Sequence, residues 1–240
     1  GAILWTHNGS GLLTNETTIS PTYSAVAGDE GNTVTLTLNV TGINACGLAI
    51  ATASHTIVVD PLPTATAGGS ETICSNGSAT VSGASSSDGT ILWTHNGAGS
   101  LTNETTITPS YSAVAGDEGN TIILTLTVTS NNACGTAIAT ATYTVLVDPL
   151  PTAAAGGSET ICSNGSAVVS GASSSNGTIL WTHNGAGSLT NETTITPTYS
   201  AVAGDDGNIV ILTMTVTSGN SCSPQSALAT FTITILESLI

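Results

Sequence analysis

TIILTLTVT, residues 121–129, decides the fold. Ile122, Leu124, Leu126 and Val128 fall on one side of an extended chain, and Thr121, Thr125, Thr127 and Thr129 on the other. A period of two is the pattern of a strand with one face in a core and the other in water. Residues 139–147 (ATATYTVLV) alternate in the same way and predict Ala141, Tyr143, Val145 and Val147 facing inward. Shorter runs predict strands over 79–83, 91–95 and 105–108, and Asn96-Gly97 after the second of these predicts a type I′ hairpin. No window shows helical spacing, and β-branched Thr, Val and Ile dominate throughout.

The same strand recurs along the chain. Trp5, Trp93 and Trp181 stand 88 residues apart, as do Cys46, Cys134 and Cys222, and also Cys74 and Cys162. ILWTHNG, LTNETTI and YSAVAGD each occur three times at that step. A period this long is the size of a small domain, not of a solenoid unit. Asp-Pro-Leu-Pro at 60–63 and 148–151 marks the boundaries, because two prolines fix φ and remove backbone donors. The chain therefore divides into 1–60, 61–148 and 149–240, the first aligning as a repeat without its first 28 positions. About seven short strands per repeat, punctuated by Gly, Asn and Pro, predict an all-β, two-sheet immunoglobulin-like sandwich in tandem, joined into an extended rod. A strand of about 11 residues spans roughly 36 Å, which sets the rise expected per unit.

Composition removes several function classes. Only 6% of residues are charged, against about 25% in an ordinary soluble domain, so solubility rests on hydroxyls, amides and backbone. Lys and Arg are absent, and 15 acidic residues give a formal charge of −15. Nucleic-acid binding by phosphate neutralisation has no cation to work with. Docking on an anionic bilayer fails for the same reason. No apolar run reaches the 18 or so residues of a membrane-spanning helix. Trypsin-like proteases find no site.

Cysteines supply the cross-links. Cys74 and Cys134 are 60 residues apart, and so are Cys162 and Cys222. The repeated spacing predicts an intradomain disulfide in each complete repeat, contributing roughly 4 kcal/mol by loop entropy. Disulfides imply an oxidising compartment. Cys46 is left unpaired: its partner falls in the absent positions of the first repeat, or it bonds between molecules. No CxxC pair or His–Cys cluster predicts zinc.

The phrases ETIC, ILW, TPSYS and LTLTVT with a closing Cys, in units that open PLPTATAGGSETICSNGSATVSG, resemble the PKD-like and Ig-like tandem repeats of large type IX-secreted adhesins of gliding Bacteroidetes. The resemblance covers essentially the whole chain and implies a secreted or cell-surface adhesive stalk. Its partners would be neighbouring repeats, other copies, or a surface polysaccharide or protein ligand. The last strand, 230–240, departs from the pattern by lacking an Asp-Pro-Leu-Pro exit.

Candidate site residues are few. Trp5, Trp93 and Trp181 are expected in the core, packed over the disulfide as in immunoglobulin domains. His7, His95 and His183 share the tryptophan face, but no Ser/His/Asp constellation accompanies them, so no catalysis and no cofactor is expected. Asp117-Glu118 with Asn120, and the corresponding Asp29-Glu30 and Asp205-Asp206, form the densest acidic spot. With Asp60 or Asp148 they offer oxygens for an interdomain calcium ion, or else form a solvated turn. Asn76, Asn103 and Asn191 sit in N-glycosylation sequons. The functional expectation is a protease-resistant stalk or adhesin. The alternative is a filament subunit polymerised by strand complementation, with residues 231–236 as donor.

Overall fold

The computed structural model describes residues 1–43 and 49–237. Cys46 therefore lies outside the described residues. The first repeat holds strands β1 (Ala2–His7), β2 (Leu12–Thr14), β3 (Thr22–Ser24), β4 (Thr33–Thr41) and β5 (Ile50–Val58). The middle repeat holds β6 (Thr64–Thr66), β7 (Ser70–Cys74), β8 (Ser78–Thr80), β9 (Ser85–Ser87), β10 (Gly89–His95), β11 (Ser100–Thr102), β12 (Ser110–Ser112), β13 (Thr121–Ser130) and β14 (Ile138–Asp148). The last repeat copies these as β15 (Thr152–Ala154), β16 (Ser158–Cys162), β17 (Ser166–Val168), β18 (Ser173–Ser175), β19 (Gly177–His183), β20 (Ser188–Thr190), β21 (Thr198–Ser200), β22 (Ile209–Ser218) and β23 (Ser226–Leu236). The helical segments among the described residues are single 3-10 turns, Ala27–Asp29, Ala115–Asp117 and Ala203–Asp205.

In the middle repeat one sheet runs β10-β13-β14-β7 and faces a second sheet, β11-β12-β8. β7 pairs with β14 in parallel, whereas the other ladders are antiparallel. The threonine alternation works as the sequence predicts: Ile122 is 3% exposed, and Leu124, Leu126 and Val128 are fully buried. They meet Tyr143, Val145 and Val147 of β14 and Ala79 and Tyr111 of the opposing sheet in one core. A matching core fills the last repeat around Trp181, Tyr199, Leu212, Met214, Phe231 and Ile233. Two antiparallel-dominated sheets around a shared apolar layer make each of these an immunoglobulin-like β-sandwich, and the chain is all-β.

The first repeat carries β1-β4-β5 and the pair β2-β3. Among the described residues β5 has no parallel partner of the kind that β7 gives β14 and β16 gives β23. Eight of its nine residues are exposed and only Ile57 is half-buried, whereas β14 buries Tyr143, Val145 and Val147.

Two local expectations are corrected. Residues 105–108 form a turn rather than a strand, because Asn103 adopts φ +56° and its carbonyl accepts both the Thr106 N–H (3.0 Å) and the Thr106 hydroxyl (3.0 Å). The strand follows at Ser110–Ser112. Asn96-Gly97 makes no type I′ hairpin, since β10 pairs with β13 and the chain crosses to the other sheet instead. Asn96 uses its Oδ1 to accept the Ile123 N–H at 2.8 Å, pinning the crossing to β13.

Candidate functional site: the junction between repeats

The acidic turns are structural. Asp117 is fully buried, with Oδ1 accepting the Ala98 N–H (2.7 Å) and Oδ2 accepting the Tyr111 hydroxyl (2.8 Å) and the Val114 N–H (3.1 Å). The Tyr111 hydroxyl in turn accepts the Gly99 N–H at 2.9 Å. Tyr199 and Asp205 repeat the arrangement in the last repeat, and Tyr23 and Asp29 in the first. Burial pushes the Asp117 pKa up, but the hydrogen bonds from Ala98, Tyr111, Val114 and Gly99 outweigh it and hold the carboxyl below its ordinary value. Burial, then the hydrogen bond to the carboxylate, pushes Tyr111 up to about 12, and Tyr199 likewise.

Neither earlier expectation for these aspartates fits. They are not solvated, and carboxylate oxygens that already accept N–H and O–H donors are a poor start for the six to eight oxygens calcium needs. Among the described residues no group of three or more His, Cys, Asp or Glu side chains gathers. Glu118, next in sequence, accepts the Ser75 hydroxyl at 2.8 Å and so ties this turn to the end of β7.

Trp93 and Trp181 are each 2% exposed, and their indole N–H groups donate to the carbonyls of Thr106 and Thr194 at 2.9 Å. Trp5 is only half-buried. The cores around Trp93 and Trp181 contain no cysteine, so these two tryptophans do not pack over a disulfide. His7, His95 and His183 meet Tyr23, Tyr111 and Tyr199 with ring centroids 5.1 Å apart, which places them as rim packing beside the turn lock.

The cysteines depart most from expectation. Cys74 is bonded to Cys222, 148 residues away, while Cys134 and Cys162 carry free thiols. The predicted pairs of Cys74 with Cys134 and Cys162 with Cys222 are therefore not formed. The reason is strand length. Cys74 ends β7 opposite Asp148, the last residue of β14, whereas Cys134 lies in the turn before β14 begins. An 11-residue strand lies between them, roughly 36 Å at 3.3 Å per residue. A disulfide tolerates about 7 Å between Cα atoms. A spacing of 60 within a repeat and one of 148 across two repeats are equally periodic, and only geometry separates them.

The Cys222 turn docks on the linker that enters its repeat. Asn220 is the hub: its Oδ1 accepts the Ser218 hydroxyl (2.6 Å) and the Cys222 N–H (2.9 Å), and its Nδ2 donates to the Pro149 carbonyl (3.1 Å). The Asp148 carboxylate accepts the Ser221 N–H at 3.0 Å, and the Asp148 carbonyl accepts the Ser75 N–H at 3.0 Å. Cys222 Sγ lies 3.5 and 3.4 Å from the Asp148 and Pro149 carbonyl oxygens. One linker is thus held by the repeat before it, the repeat after it and the covalent bond joining both. Asp60 and Asp148, considered above as calcium ligands, are linker anchors. The same contacts recur one repeat earlier, where Asn132 donates to Pro61 O at 2.9 Å and Ala133 N–H to the Asp60 carboxylate at 3.0 Å. Asn132 and Asn220 escaped the sequence reading, although Ser-x-Asn-x-Cys recurs at the 88-residue step and would have pointed to them.

No family model and no curated protein matches the chain. Solved structures similar in fold include mouse protocadherin-24 EC1-3, at 12% identity and TM-score 0.48 over 99% of this chain and 90% of that one. Drosophila N-cadherin EC1-4 aligns at 13% identity and TM-score 0.37, covering 98% and 67%. A SusE-like surface located polysaccharide binding protein of Bacteroides thetaiotaomicron aligns at 12% and TM-score 0.29, covering 94% and 50%.

Proposed function

We propose that the chain is a load-bearing stalk: an extended rod of sandwich domains, divided at 1–60, 61–148 and 149–240, that belongs to a secreted or cell-surface adhesive protein and performs no catalysis. The observation that carries this reading is the Cys74–Cys222 bond across the junction, clamped by the Asn220 turn on Asp148 and Pro149. A hinge built for domain motion would leave its linker free; here both prolines and a covalent bond restrain it. The Cys74–Cys222 disulfide supports an oxidising, extracellular setting. The absence of Lys and Arg suits a surface exposed to trypsin-like proteases. Near-identical repeats supply length, and their partners are the adjoining repeats and a surface polysaccharide or protein ligand.

A second reading is a filament subunit completed by a strand from another molecule, favoured by the open edge of β5. Small-angle scattering with negative-stain microscopy separates the two. The stalk gives a stiff monomeric rod of roughly 110 Å, three units at about 36 Å each, whose bend angle broadens on reduction. A compact particle, or a rod whose bending ignores reductant, would overturn it. End-to-end assemblies at fixed spacing would establish the filament instead.

A further inference from the structure

Cys134 is surrounded as Cys222 is, yet holds no partner sulfur. Its N–H donates to Asn132 Oδ1 at 2.9 Å, as that of Cys222 does to Asn220. Its Sγ lies 3.5 and 3.4 Å from the Asp60 and Pro61 carbonyls, the distances found for Cys222 from Asp148 and Pro149. At the bonded junction, the sulfur that completes this socket arrives on a parallel strand: Ser70 to Cys74 lie opposite Thr144 to Asp148. Shifting that register by one repeat puts a Ser-Glu-Thr-Ile-Cys strand alongside residues 56–60, with its cysteine opposite Asp60 and beside Cys134. Those residues form the open edge of β5 and the start of the linker. A second copy of the pairing, β16 on β23 with Cys162 opposite Leu236, shows that the register is a property of the repeat.

We propose that the β5 edge and Cys134 together form a receptor for an extended Ser-Glu-Thr-Ile-Cys segment of a further repeat of this kind, which docks in parallel on residues 56–60 and bonds covalently to Cys134. Backbone hydrogen bonds along the edge supply the docking and alternate side chains the register. Ile in the fourth position falls opposite Val59, as Ile73 falls opposite Val147, where it joins the core of the middle repeat. The bond forms by thiol–disulfide exchange with a small disulfide such as oxidised glutathione. The Cys134 thiolate attacks one glutathione sulfur and releases one glutathione thiol. The incoming cysteine thiolate then displaces the second, so that two protein thiols become one S–S bond and the two electrons and two protons leave on two glutathione molecules.

This inference rests on the stapled junction proposed above, and one digest tests both separately. The intact chain is incubated in a glutathione redox buffer with a synthetic peptide of the sequence at 61–88, then alkylated and mapped without reduction. The expected product joins the peptide's cysteine to Cys134, roughly tenfold or more over Cys162, because a docked strand raises the local thiol concentration. A peptide with Ser-Glu-Thr-Ile scrambled ahead of the cysteine loses that preference. Equal reaction at Cys134 and Cys162, capture by Cys46, or indifference to scrambling would each overturn the proposal. The Cys74–Cys222 peptide in the same map reports on the staple itself.

Discussion

Each repeat closes its acidic turn around one carboxylate, and the balance of that turn is set by hydrogen bonds. Taking Asp117 out of water is unfavourable, and its two backbone donors and the Tyr111 hydroxyl offset the loss. Tyr111→Phe keeps the ring but leaves the carboxylate one donor short in a buried place, which is expected to cost about 1–3 kcal/mol in urea unfolding. Gly97 shows how tightly the lock is packed: a Cβ there would meet the Tyr111 hydroxyl. Gly97→Ala is therefore expected to destabilise at least as much as Tyr111→Phe. The pH dependence follows from the shifts. Tyr111 and Tyr199 titrate near 12 when folded and near 10 when unfolded, so stability is full below about pH 10 and is lost as pH rises towards 12. Asp117 and Asp205 are depressed, so their contribution is present above their unfolded value of about 3.9 and is lost as pH falls through the folded one. Thermal melts across pH should show both edges, and the double Tyr111→Phe, Tyr199→Phe variant should flatten the alkaline one.

At the scale of elements, the same tryptophan has two environments. Trp93→Ala removes a side chain 2% exposed and an indole hydrogen bond, a loss of about 3–5 kcal/mol. Trp5→Ala removes a half-buried ring from β1, whose sheet ends at β5, and should cost clearly less. Chemical unfolding of the two variants checks the contrast. Strand β13 was legible because its alternation reports burial directly, and residues 122, 124, 126 and 128 are where the pattern put them. Residues 105–108 misled because β-branched Thr and Ile fit a strand, while the chain geometry there is set by the left-handed Asn103 just before them. Asn96-Gly97 misled because hairpin chemistry is local, whereas which sheet receives the next strand is decided by packing. The disulfide lay beyond any local rule. Periodicity fixes which cysteines are equivalent, not which ends of neighbouring sandwiches touch.

Taken as a whole molecule, the staple changes how tension passes along the chain. Loop entropy for a closure of 148 residues gives the bond a contribution of about 5 kcal/mol against the unfolded chain. Cys74→Ser should lower the melting temperature of the middle and last repeats together, since the bond joins both. The mechanical effect is larger than the thermodynamic one. Force applied at the two ends enters at residue 1, reaches Cys74, crosses the sulfurs to Cys222 and leaves towards residue 240. Everything between the two cysteines, including β8 to β22, lies off that covalent path and cannot be drawn out however far the ends are pulled. The 148 residues so bypassed amount to roughly 500 Å of contour at 3.3–3.6 Å per residue. Single-molecule pulling of the oxidised chain should therefore release a contour shorter by about that length than the same chain in reductant, and Cys222→Ser should behave as reduced whatever the buffer. Equal release with and without reductant would mean that the sulfurs bear no load and that the junction is held by the Asn220 turn alone.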